Sequence, residues 1–173
     1  MTFAAIERAE PRTTGDERTT LTEFLDYFRA TLATKCVGLS PAQLAERAVP
    51  PSSLSLLGLV RHMAEVERNW FRRFNGEDTH PRYYGKDNPD GDFDDVTGEQ
   101  AAVDEAFAFW QDEIAHAREV TATYQLDDVR EIPRDPRQEF SLRWILVHMI
   151  EEYARHCGHA DFLRERIDGV TGD

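Results

Sequence analysis

The chain has 173 residues, a formal net charge of −13 and a pI near 4.8. That length suits one domain able to bury a core without disulfides or a structural metal. The acidity excludes nucleic-acid binding, which requires a basic patch; Arg72 and Arg73, the densest basic spot on their helix, are interleaved with acids.

Residues 1–18 read as a loose polar arm, and residues 19–169 as the domain. Thr20 and Glu23 have the spacing of a capping box, and Leu21, Phe24, Leu25, Phe28, Leu32 and Cys36 recur at helical intervals, so a first helix is expected over 19–37. Ser40 opens a short helical turn, and Pro50-Pro51 then forces a connector. Ser52 or Ser53 is expected to cap a second helix running to Phe74, with Leu56, Leu59, His62 or Met63, Val66 and Trp70 on one face.

From Asn75 to Thr97 the chain is rich in Gly, Pro and Asp with scattered aromatics. A connection of that length in a compact helical domain reads as a lid, with Tyr83, Tyr84 and Phe93 able to close over a pocket. The run Asp87 to Asp95 lacks the closing Glu of an EF-hand loop, so a solvated acidic lid is expected rather than a calcium site. A third helix is expected from Thr97, with Gln100 completing a capping box, to about Tyr124. A connector containing Pro133 and Pro136 leads to Ser141, which caps a fourth helix that Gly169 ends. The fold class is therefore all-α, with four helices and long connections after the second and third.

The fourth helix carries the most chemistry. At about 3.6 residues per turn, Ile145, Met149, Glu152, His156, Ala160, Leu163 and Ile167 fall on one stripe, so a carboxylate and an imidazole stand where leucines are expected. Buried ionisable groups cost several kcal/mol, roughly, unless something pairs them, and a divalent metal is the simplest partner. Glu152 and His156 leave the same helix face one turn apart, His159 lies a further turn along, and His62 can complete the set from the second helix. Two imidazoles and a carboxylate leave a coordination position open, as in catalytic zinc sites; nickel, iron or manganese could also occupy it. The competing readings are a hydrogen-bonded core histidine for His62 and a solvated face for the Glu/His pair. His148, one turn before Glu152, could ligate or orient a ligand by hydrogen bonding. His148-Met-Ile-Glu151 does not match the H-E-x-x-H of zincin proteases.

Cys36 and Cys157 form no C-x-x-C motif, and Cys157 points away from His156, so a reduced compartment and a small buried thiol are expected. No stretch approaches about 18 uncharged residues and the first residues lack a signal-peptide core, so a cytoplasmic protein without a membrane partner is expected.

The pairing of Leu56–Phe74 with Trp144–Gly169 resembles the DinB/YfiT-like metalloprotein superfamily, most closely its actinobacterial, mycothiol transferase-like subfamily, over about Thr20 to Gly169. The resemblance implies a four-helix bundle with a DinB-type connection and, frequently, a homodimer. It implies a divalent metal, zinc foremost, held by His62, Glu152 and His156, with His159 as a fourth ligand or a group behind the ligands. Many members carry His at the position of Glu152; the mycothiol-dependent maleylpyruvate isomerases are similar in using Glu-x-x-x-His. The implied activity is transfer of a low-molecular-weight thiol, mycothiol or a similar one, to a small electrophile. The alternatives are a metal-dependent isomerase or hydrolase of the maleylpyruvate isomerase type, and a non-catalytic metal- or ligand-binding stress protein.

Overall fold

The computed structural model describes residues 7–131 and 139–172. The described residues are helical apart from one small two-stranded ladder: α1 (Glu17–Thr34), α2 (Pro41–Leu44), α3 (Leu56–Glu67), α4 (Gly91–Asp94), α5 (Gln100–Thr123), β1 (Val129–Glu131), β2 (Glu139–Ser141) and α6 (Leu142–Asp168). Helix α1 packs along α6, while α3 packs against both α5 and α6. Their apolar faces meet in one core that includes Leu32, Leu59, Met63, Phe71, Ile145 and Met149. Burying each such side chain contributes about 1.5–3 kcal/mol. No helix among the described residues is long and apolar enough to cross a membrane.

The helix starts show how local hydrogen bonds decide a boundary. Helix α1 begins at Asp16, whose side chain accepts from Thr19 N at 2.7 Å. The expected Thr20/Glu23 box does not form because Arg12 takes Glu23, through its backbone N at 2.8 Å and its Nε at 2.6 Å. That contact also ties down the described part of the arm. Helix α3 is capped by Ser55, accepting from Gly58 N at 3.1 Å, two or three residues later than the serines expected for the role. Helix α5 starts at Gln100 without a side-chain cap, since the Gln100 amide bonds forward to Asp104 at 2.8 Å. Helix α6 begins at Ser141, whose Oγ accepts from Trp144 N, and ends at Gly169 with φ of 77°, both as the sequence suggests.

Two features depart from the sequence reading. Helix α3 passes at Glu67 into a π-helical turn, Arg68–Arg72, which widens the helix where Asn69 and Trp70 are buried. The connector before α6 holds an antiparallel ladder pairing Val129 with Ser141 and Glu131 with Glu139. These strands are three residues long and largely exposed, so they carry no alternation to read. Pro133 and Pro136 lie outside the described residues.

Candidate metal centre

Helices α3 and α6 bring His62, Glu152 and His156 together: each offers one ligand atom, and these atoms lie within 4.8 Å of one another. The three come from the stripe on α6 and from the face of α3 packed against it, so the helix packing that buries Met63 and Met149 also aligns the donors. The His62 and His156 rings are 4.8 Å apart, and His156 Nε2 is 3.7 Å from Glu152 Oε2. Zinc bonds of about 2.0–2.2 Å at tetrahedral angles place donor atoms roughly 3.4 Å apart, so side-chain adjustments of about an ångström close the set around one ion.

The free nitrogens are assigned by their neighbours. His62 Nδ1 is 2.8 Å from Asp92 Oδ2, which leaves Nε2 for an ion. His156 Nδ1 is 3.3 Å from His159 Nδ1, so His156 also presents Nε2, and one ring of that pair donates to the other. His156 is 9% exposed. Burial, reinforced by the neighbouring His62 and His159, pushes its pKa down to about 3, which keeps the imidazole neutral, the form that binds metal. The donor set and its burial fit a divalent ion.

His159, expected as a fourth ligand or as a group behind the ligands, does not join the three-donor group. It stands on the far side of His156, edge-on to that ring at 5.2 Å. His148 is clamped between Trp144, stacked at 4.9 Å, and Trp70, perpendicular at 4.9 Å. Its Nε2 is 3.5 Å from Glu152 Oε1 and its Nδ1 is 3.5 Å from Glu151 Oε2. Of the remaining histidines, His116 pairs with Glu77 at 3.0 Å, away from this centre.

The centre opens into a cavity of about 330 Å³ lined by His62, Glu65, Trp70, Tyr84, His148 and Glu152, with Asp90, Asp92 and Phe93 from the connector. None of its lining residues is Lys or Arg. A larger cleft of about 660 Å³ lies between the arm, α1 and α5, but its lining holds no histidine or cysteine. Of the two, the smaller cavity is the one that the donors His62 and Glu152 line.

The connector read as a solvated acidic lid keeps Asp87, Asp90, Asp94 and Asp95 exposed, but it is also docked on α3. Glu65 Oε1 accepts from Arg82 N at 2.5 Å and Tyr83 N at 2.6 Å, and burial raises its pKa against the pull of those two bonds. Arg61, also buried, donates to Gly91 O at 2.9 Å and lies over the Tyr83 ring at 4.2 Å. Asp92 is buried against His62 although most of its acidic neighbours are exposed. The sequence reading missed Arg61, Glu65 and Asp92 as parts of this site. A signal for two of them exists, since Arg61, Glu65 and Asn69, with His62 beside them, recur at helical spacing as a polar stripe on a largely apolar helix.

A family model described as mycothiol-S-transferase matches residues 20–169 of the chain. No curated protein and no solved structure matches it.

Proposed function

The chain belongs to the mycothiol-S-transferase family, and from that premise we propose that it is a divalent-metal-dependent S-transferase joining mycothiol, or a similar low-molecular-weight thiol, to a small electrophile. The observation that carries the reading is the convergence of His62, Glu152 and His156 beside a cavity large enough for a small molecule. Zinc is the ion best matched to two imidazoles and a carboxylate with one side open.

A divalent ion held there supplies Lewis acidity, which lowers the pKa of a thiol brought to it. The chain's own residues do the rest. His62, Glu152 and His156 hold the ion. Trp70, Tyr84 and Phe93 exclude water and offer flat faces to the electrophile. In the reaction the sulfur–carbon bond forms as the leaving group departs, and the thiol proton is released; for an addition, that proton ends on the electrophile. The lining carboxylates Glu65, Asp90, Asp92 and Glu152 favour uncharged or cationic reactants. An isomerase acting on an anionic acid is less favoured, because the lining offers it no Lys or Arg partner.

The same reading carries a single domain over residues 19–169 built as a DinB-type four-helix bundle, a homodimer, and a setting in the cytoplasm where the thiol is found. Light scattering tests the dimer. The activity is tested by metal analysis of wild type and His156→Ala, together with conjugation of mycothiol to 1-chloro-2,4-dinitrobenzene. About one equivalent of zinc and metal-dependent conjugation, both lost in the variant, are expected. Conjugation that persists in metal-free His156→Ala protein would refute the proposal.

A further inference from the structure

Asp92 belongs to the most acidic stretch of the chain, yet its side chain is 6% exposed and its Oδ2 lies 2.8 Å from His62 Nδ1. Among the described residues, His62 is its hydrogen-bond partner; no Lys or Arg pairs with it. A buried carboxylate needs a positively charged partner, and what faces Asp92 is an imidazole rather than a Lys or Arg. A dication on the opposite nitrogen of the same ring supplies the missing charge. We propose that Asp92 is a positioning residue of the metal centre: it fixes the His62 ring with Nε2 toward the ion, and so couples the docking of residues 81–95 to metal loading. The inference rests on the metal-dependent reading above.

The surroundings of Asp92 support this. Phe93 stacks on the His62 ring at 5.1 Å with 30° between planes, so consecutive residues of α4 grip the imidazole by edge and by face. Gly58, one turn before His62, leaves room for Phe93, since a Cβ there would lie 2.9 Å from Phe93 Cδ1. At Gly91 a Cβ would lie 2.3 Å from Tyr83 O, so the turn that delivers Asp92 closes only on glycine. Arg61 and Glu65 pin the two ends of the segment to α3 through Gly91 O and the backbone N–H groups of Arg82 and Tyr83. A carboxylate behind a metal-binding histidine selects its tautomer and orientation. By reciprocity, an ion that favours this ring orientation favours the docked segment.

The test compares wild type, Asp92→Ala and Asp92→Asn for zinc affinity, by competition with a chromophoric chelator, and for the visible absorption of the cobalt(II) form. Tryptic cleavage after Lys86, within the segment, is followed with and without zinc. Asp92→Ala is expected to weaken zinc binding by about 10–100-fold, to alter the cobalt spectrum and to abolish zinc-dependent protection of Lys86. Asp92→Asn, nearly isosteric and still able to accept from Nδ1–H, is expected to recover part of the affinity, and it serves if the alanine variant does not fold. Wild-type affinity and an unchanged cobalt spectrum in both variants would overturn the inference alone. Wild-type protein that binds neither ion would overturn the metal centre and the inference together.

Discussion

The Tyr153 hydroxyl donates to Glu67 Oε1 at 2.8 Å in the middle of the core, and both residues are buried. Glu67 also accepts two 2.8 Å bonds from Arg29, and the Tyr153 oxygen accepts from Trp110 Nε1 at 2.8 Å. One polar chain thus joins α1, α3, α5 and α6, directly before the π-helical turn.

Breaking that chain should be costly. Glu67→Ala leaves the Arg29 guanidinium buried without its main countercharge, and a loss of about 3–5 kcal/mol is expected. Tyr153→Phe strands the Trp110 N–H and should cost about 1–3 kcal/mol. Urea unfolding followed by circular dichroism measures both, and a Glu67→Ala change below about 1 kcal/mol would show that the network contributes little.

The two thiols should be inert in the folded protein. Burial pushes Cys36 and Cys157 each up to about 12. At pH 8 the thiolate fraction is then about one part in ten thousand, against tens of per cent for a free cysteine. Iodoacetamide should leave the native protein unmodified and label both residues in guanidinium. The sign for stability follows: these folded-state values lie above the unfolded one of about 8.5. Their contribution is complete below pH 8.5 and is lost as pH rises toward 12. A native Cys157 that alkylates as fast as a free thiol would contradict its burial.

Substitution of the histidines separates ligands from their supports. His62→Ala, Glu152→Ala and His156→Ala each remove a donor from the three-atom group and should abolish stoichiometric zinc. His159→Ala should keep one equivalent of zinc and bind it about 10–100-fold more weakly, because the ring contacts His156 Nδ1 rather than the shared space. His148→Ala should also keep the metal. Loss of metal in His159→Ala as complete as in His156→Ala would make His159 a ligand.

These residues also mark what a linear reading can reach. The apolar repeat exposes the long helices because each buries one face, and Glu152 and His156 stand out because they interrupt that repeat. Arg12 cannot be seen capturing Glu23, nor Gln100 turning to Asp104, since each bond competes with a cap that sequence spacing favours equally well. The π-helical turn leaves no mark in composition. Asp92 is the clearest case: in a run of aspartates nothing distinguishes the one that tertiary packing buries, and only the position of α4 on α3 selects it.

Gly91 offers the last expected outcome. A methyl group there would sit 2.3 Å from Tyr83 O and 2.5 Å from Asn88 Nδ2, and the carbonyl is a backbone atom that cannot rotate away. Gly91→Ala should therefore cost about 1–3 kcal/mol through overpacking. It should also displace Gly91 O from Arg61 and draw Asp92 and Phe93 off His62. Gly85, where an added Cβ meets nothing within 4 Å, is the control for the same connector. If docking of this turn shapes the centre, Gly91→Ala weakens zinc binding and Gly85→Ala does not. Equal zinc affinity in the two variants, measured by chelator competition, would separate the connector from the metal centre.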